Sequence, residues 1–367
     1  MDSSDHGRDR DRVPSLDRDP KTVSPPSIDT PTAFEALSET IWDDDTDSAL
    51  GEDGLGSDDD SMSTASLSDS ILEYRRINGR TYHNESRGSM YWGPNDEQSN
   101  ESLDISHQTF LLLLDNKLFL APLQTDRVRR VLDIGTGTGM WANDFADEFP
   151  AAEVTGTDIS PIQAPWTAPN CRFEMEDAEK QWTYPRNSFD YIHMRTLCGA
   201  VQDWQTLFTQ AYDTLAPGGW LESYETEATF TSDTYDIPAD SPLRMWTTYF
   251  KEAGKRMGRT FNVLQDDLQV RGMTAAGFKD IRVVSMKSPI GPWSSDERLK
   301  KSGAYAYAAL ENDLEGYIVF VWTEVLRKSL DELRVFLAHF RKAIRAKGLN
   351  AYLPQRIVYA QKPLHGG

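Results

Sequence analysis

VLDIGTGTGMW, Val131 to Trp141, followed after a short gap by EVTGTD, Glu153 to Asp158, sets the architecture of this chain. Val131 to Ile134 reads as a buried strand and Met140 to Phe149 as a helix ended by Pro150. Between them Gly135, Gly137 and Gly139 make a tight turn where a ligand can approach the backbone closely. Asp158, at the tip of the second strand, is placed to accept hydrogen bonds from ribose hydroxyls. The pattern predicts a nucleotide-cofactor cradle; a glycine-rich turn without a ligand is the alternative.

The glycine spacing chooses among cofactors. A dinucleotide fingerprint, G-x-G-x-x-G, would put its third glycine at position 140, where this chain has Met140. The glycines follow G-x-G-x-G instead, with Asp133 two residues before the first. A carboxylate there suits the ammonium end of a methionine moiety and would repel a pyrophosphate, so the spacing points to S-adenosylmethionine. Downstream, Cys171-Arg172-Phe173 reads as a third strand delivering Asp177-Ala178 toward an adenine amino group. Ser188 to His193 reads as a fourth strand, and the next helix carries Trp204, Leu207, Phe208, Ala211 and Leu215 on one stripe. LAPGGWLESY then gives a turn at Pro217-Gly218-Gly219 and a fifth strand. This alternation predicts an α/β fold of the class I methyltransferase type, Rossmann-like, with a mostly parallel seven-stranded sheet.

Further marks lie outside the cofactor motifs: ILEYRRINGRTYH at Ile71 to His83, PNDE at Pro94 to Glu97, LDISHQTFLLLLDNKLFLAPL at Leu103 to Leu123, IHMRTLCGAVQDW at Ile192 to Trp204, and AYLPQRIVYAQKP at Ala351 to Pro363. In these the chain resembles the fungal LaeA-like (UMTA-like) methyltransferases, from about Ser70 to Pro363. The resemblance implies S-adenosylmethionine as cofactor, a role in fungal secondary metabolism, and an N-terminal segment with Tyr82 folded back over the cofactor. Gln108 and Thr109 after His107, and Leu353 before Pro354, depart from the family pattern. Substrate contact at any of them would imply a substrate different from that of near relatives.

Composition divides the chain. The first 70 residues carry 19 acidic against 5 basic side chains, and should stay unfolded for want of apolar surface. A protein-docking role for Ile41-Trp42 among Asp43, Asp44 and Asp45 is weighed against a plain solvated leader. Residues 71–125 are expected as an N-terminal helical cap segment, and 126–363 as the methyltransferase domain. The remaining 297 residues carry −6 of the overall −20, so no strongly basic face is evident and direct nucleic-acid binding is not expected. The start MDSSDHGRDR has no apolar core and no apolar run approaches the ~20 residues of a membrane span, so a cytoplasmic or nuclear protein, not secreted, is expected. Cys171 and Cys198 give neither a disulfide framework nor a metal site.

The expected cofactor-binding residues are Tyr82, Asp133, Gly135, Thr136, Gly137, Gly139, Asp158, Ile159, Asp177, Ala178 and Arg195. Residues 226–263 exceed an ordinary connection and contain a helix, Leu243 to Met257, with Met245, Trp246, Tyr249, Phe250 and Ala253 on one side. That helix reads either as a substrate lid or as a cover for the sheet. Further on, Ser302 to Arg345 is helical in pattern with a break at Ser329, and Arg356 to Gln361 closes the sheet. His193 is the best placed base, with no partner acid assignable; His83, His107, Trp246, Tyr249 and Phe250 are the substrate candidates. Two functions stand open: a pathway enzyme methylating a small molecule, or a nuclear regulator of metabolite gene clusters acting with velvet-type proteins.

Overall fold

The structure, a computed structural model, describes residues 74–84 and 90–364. The acidic segment 1–70, with Ile41 and Trp42, lies outside them.

The chain opens on a hairpin, β1 (Arg75–Ile77) and β2 (Arg80–Tyr82), turned at Asn78-Gly79 with both residues at positive φ. The expected cap segment is therefore not helical throughout; Asn-Gly is the dipeptide that a two-residue hairpin turn favours, and it was the signal to use. Helix α1 (Glu97–Leu113) follows, its first turn capped by the Asp96 carboxylate accepting from Ser99 N. Arg80 bridges Asp96 and Asp313, each at 2.6 Å, and so ties the hairpin to both neighbours.

Five parallel strands make the centre: β3 (Arg130–Ile134), β4 (Glu153–Asp158), β5 (Cys171–Met175), β6 (Phe189–Arg195) and β7 (Leu215–Thr226). With β8 (Lys279–Pro289) and β9 (Tyr352–Gln361) the sheet order is β5-β4-β3-β6-β7-β9-β8, β9 running antiparallel to both neighbours. This is the class I methyltransferase fold. The last strand in sequence thus enters the sheet interior, and β8 forms the edge. Pro217-Gly218-Gly219 does not precede β7 but loops out inside it, between the pairs Phe189–Leu215 and Tyr191–Trp220.

Parallel strands buried on both faces need apolar residues on both, and β3 shows how they are shared. Leu132 and Ile134 join the core under α3 (Trp204–Thr214) and α5 (Leu268–Ala276), while Val131 joins the core under α2 (Met140–Glu148), with Trp141 and Phe145. Asp133 shares Val131's face by strand alternation. Between α3 and α5 lies α4 (Pro242–Met257), begun by Ser241 and Pro242 and ended by left-handed Gly258. α4 packs against α7 (Leu330–Ile344), which Ser329 and Glu332 start with a capping box, while α6 (Glu297–Asn312) packs along α1.

Candidate active site

Strand direction decides where the chemistry gathers. The carboxyl ends of β3, β4, β6 and β7 bring the glycine turn, Asp158, Arg195 and Thr226 to one rim of the sheet. In the turn Gly135, Gly137 and Gly139 have φ of +66°, +59° and +84°. A Cβ on Gly137 would meet only Leu103, at an ordinary contact distance of 3.7 Å, so the backbone there is uncrowded. Its N–H donates to Asp158 Oδ2 (2.9 Å) and its carbonyl accepts from Gln163 Nε2 (2.7 Å). Asp158 Oδ1 accepts from Ser160 N (3.0 Å), and burial lifts this carboxyl to about 6.

Below the turn lies a polar floor. Asp133 and His193 are direct neighbours in the β3–β6 register, and His193 Nδ1 lies 2.7 Å from Asp133 Oδ1. This supplies the partner acid that could not be assigned from sequence. Thr136 Oγ1 donates to the other Asp133 oxygen (2.7 Å), and the His193 ring stacks on Trp141 with centroids 3.8 Å apart. Burial holds the imidazole pKa below its usual value, so the ring is neutral; Nδ1–H faces Asp133 and Nε2 keeps the lone pair. Beside it Arg195 lies over the Phe110 ring (4.5 Å) and 3.2 Å from His107 Nδ1, whose Nε2 meets Asp144 Oδ2 at 2.8 Å.

Both groups border one cavity of about 260 Å³. At one end are Asp133, Gly135, Thr136, Gly137, His107, His193 and Arg195; at the other Trp246 and Phe250 form an aromatic wall with Trp92, Phe230 and Phe261. The rings interlock, Trp92 meeting Phe261 at 5.4 Å and Phe250 meeting Trp246 at 5.0 Å and Phe261 at 4.9 Å. α4 is therefore a cavity wall and a packing element at once, since Trp246 also lies 4.9 Å from Phe340 of α7.

The other expected residues fall elsewhere. Tyr249 corrects the expectation of a single acceptor face on α4: it turns to Trp322 (4.9 Å) and Phe336 (5.4 Å), away from the cavity. Tyr82 is fully buried beside Phe320, and His83 Nδ1 lies 3.4 Å from Ser160 Oγ; neither lines the cavity, whereas Tyr91 and Trp92 of the same segment do. Gly139, Asp158, Ile159, Asp177 and Ala178 also lie off its lining. Asp177 follows β5, whose Met175 is in register with Asp158, and its Oδ1 accepts from Glu179 N. Of the departures from the family pattern, Thr109 and Leu353 line the cavity and Gln108 is exposed.

Missed altogether were the acids of β7 and its end. Glu222 and Glu225 are buried, and burial raises their carboxyls to about 7 and about 8; Glu227 is buried beside them and lines the cavity. Three acids in ESYETE, two within a strand central to the sheet and the third just past its end, were the available signal. Cys198 also lines the cavity, as a thiol, because burial and the nearby Glu225 and Glu227 raise its pKa well above the ordinary value. Among the described residues there is no cluster able to hold a metal ion and no helix long and apolar enough to cross a membrane.

A methyltransferase-domain family profile matches residues 105–283. The chain is 36% identical over 306 residues to the methyltransferase pytC of Aspergillus terreus, covering 83% of this chain and 93% of that one. It is 35% identical to the secondary metabolism regulator LAE1 of Cochliobolus heterostrophus (78% and 92% covered). It is 32% identical to the protein-methionine methyltransferase laeA of Emericella nidulans (80% and 77% covered).

Proposed function

The chain belongs to the fungal LaeA-like methyltransferases, and from that premise we propose that this S-adenosylmethionine-dependent enzyme methylates a small-molecule biosynthetic intermediate held against its aromatic wall. The observation that carries the reading is the continuity of the cavity, which borders the glycine turn at one end and Trp92, Trp246, Phe250 and Phe261 at the other.

The residues present fit the cofactor, since the backbone at Gly137 is uncrowded, Asp158 stands at the tip of β4 where a ribose is expected, and Asp177 follows the end of β5 on the adenine side. When bound, S-adenosylmethionine supplies a sulfonium-activated methyl group. Gly135, Thr136, Gly137 and Gly139 bring backbone to it, Asp158 and Ile159 take the ribose side, and Asp177 and Ala178 the adenine side. Arg195 offers its guanidinium to the methionine carboxylate; Asp133 and the Nε2 lone pair of His193 suit the ammonium group. His107, oriented by Asp144 and beside Arg195, lines the same cavity as Trp246 and Phe250, which close the acceptor end. Methyl displacement needs in-line positioning and exclusion of water, and an apolar wall supplies both. Thr109 and Leu353, which depart from the family pattern, both line the cavity, and contact with the acceptor there would set it apart from those of near relatives.

The test is transfer of a trideuteromethyl group by purified enzyme into a fungal small-molecule extract and, separately, into the proteome. Label in the small-molecule fraction is expected; label confined to protein would overturn the reading.

Relatives named as secondary metabolism regulators favour a second reading, and under it we propose a cytoplasmic or nuclear protein that would act with velvet-type partners on metabolite gene clusters. Gene deletion separates the two: the enzyme reading expects one methylated product to disappear, the regulatory reading a fall in transcripts of many clusters.

A further inference from the structure

One carboxylate of the cavity lining has an oxygen that neither the fold nor the cofactor cradle uses. Glu227 lies one residue beyond β7 and is 2% exposed. Its backbone N–H donates to Pro354 O (2.9 Å) and its Oε2 accepts from Leu264 N (3.1 Å), so the side chain is held in place. Its Oε1 is buried without a hydrogen-bond partner, in a residue that lines the cavity with Trp92, Phe250 and Phe261.

The neighbouring acids make the contrast. Glu225 accepts from Leu197 N and Cys198 N, one on each oxygen, and Glu222 accepts from Leu120 N and Ala121 N. All three brace loops, Glu227 at Leu264 and Gln265, but of the three only Glu227 keeps an oxygen open. A buried acceptor without a donor costs folding free energy, and its persistence in a cavity is explained when a ligand brings the donor.

We propose that Glu227 Oε1 receives the hydrogen of the methyl acceptor, which is therefore an aromatic hydroxyl or amine rather than a carboxylate. This rests on the proposed division of the cavity into cofactor and acceptor ends. The acceptor's oxygen or nitrogen lone pair forms the bond to the methyl carbon as the carbon–sulfur bond breaks toward sulfur, and the acceptor's proton passes to Glu227. The products are the methylated acceptor, the neutral thioether S-adenosylhomocysteine and a neutral carboxylic acid, so the sulfonium and carboxylate charges vanish together. Burial raises the Glu227 carboxyl above the ordinary range, which favours proton uptake. His193 is the poorer recipient, because its pairing with Asp133 and stacking on Trp141 place it under the glycine turn.

The experiment measures binding, not turnover. S-adenosylhomocysteine is first titrated calorimetrically into wild type and Glu227→Gln, with equal affinities expected. Failure to bind wild type would overturn the cavity reading and this inference together. With that ligand saturating, 2-naphthol, 2-methoxynaphthalene and 2-naphthoate are then compared. Wild type should prefer naphthol by about ten-fold or more, as expected for a hydrogen bond to a buried charged group, and Glu227→Gln should narrow the ratio to about three-fold or less. Normal S-adenosylhomocysteine binding with no naphthol preference, with no naphthol binding, or with a preference that survives in Glu227→Gln overturns the role of Glu227 alone. If Glu227→Gln does not fold, the wild-type ratios decide.

Discussion

The glycine end and the aromatic end of the cavity are assembled by different physics. At the first, Asp133 to Trp141 is one continuous stretch, and its shape follows from three glycines at positive φ between a strand and a helix. At the second, Trp92, Phe230, Trp246, Phe250 and Phe261 come from separate loops and a helix, and none has a fixed place until the others pack. Local backbone rules make the first end; long-range burial makes the second. A sequence can therefore vary along the aromatic wall while leaving the glycine turn intact.

The largest test of that contrast is Gly137→Val. A β-branched side chain at φ +59° is strained by ~1–2 kcal/mol and projects toward Leu103 into the cavity beside the turn. Calorimetry should detect no S-adenosylmethionine binding, while the melting curve still shows a folded protein. Undiminished affinity in folded Gly137→Val would remove the cofactor from this end.

At the other end Trp246→Ala should cost ~3–5 kcal/mol of stability, as for a buried aromatic truncated to alanine, and should lower methyl transfer by the folded fraction. Tyr249→Ala, on the same helix but turned away from the cavity, should lower stability and leave transfer unchanged. Equal losses of transfer in both variants would break the assignment of α4 as an acceptor wall.

Asp158→Asn sharpens the glycine end. Loss of charge-assisted hydrogen bonds should weaken S-adenosylmethionine by ~1–3 kcal/mol, about 5- to 150-fold. Because burial lifts the Asp158 carboxyl to about 6 and the ribose needs an ionised acceptor, wild-type affinity should fall as pH drops below about 6. Titrations at pH 5.5 and 7.5 read this directly, and Asp158→Asn should lack the dependence.

The smallest effect concerns the buried acids that brace loops against β7. Glu225 titrates at about 8 in the folded protein and at ~4.3 in the unfolded chain. Between those values the folded state holds a proton that the unfolded state has released, so the contribution is full below about 4.3 and is lost as pH rises through 8. Glu222, raised to about 7, acts in the same sense. The melting temperature of wild type should carry this downward term between pH 5 and 8, and Glu225→Gln should have the shallower slope; an unchanged slope contradicts the assignment.

The strand and helix order from Val131 to Trp220 was legible because parallel buried strands and amphipathic helices write their periods into short windows. The hairpin at Asn78-Gly79 is equally local, since the Asn-Gly turn alone sets its register. Tyr249 and Trp246 looked alike because helical periodicity gives a face and not what each edge of that face meets: α7 and the turn before it take Tyr249, and the cavity takes Trp246.

The sequence by itself determined the class of fold, the glycine turn, the acid at the tip of β4 and the methyltransferase family, since each rests on residues close together in the chain. Only the tertiary structure decided that Asp133 orients His193, that Asp144 orients His107, and that Glu222 and Glu225 are satisfied while Glu227 keeps an open oxygen. Those relations depend on register between strands and on loops folded over the sheet from distant positions. Whether a buried polar atom finds a partner is a property of the packed chain, and no spacing along the sequence contains it.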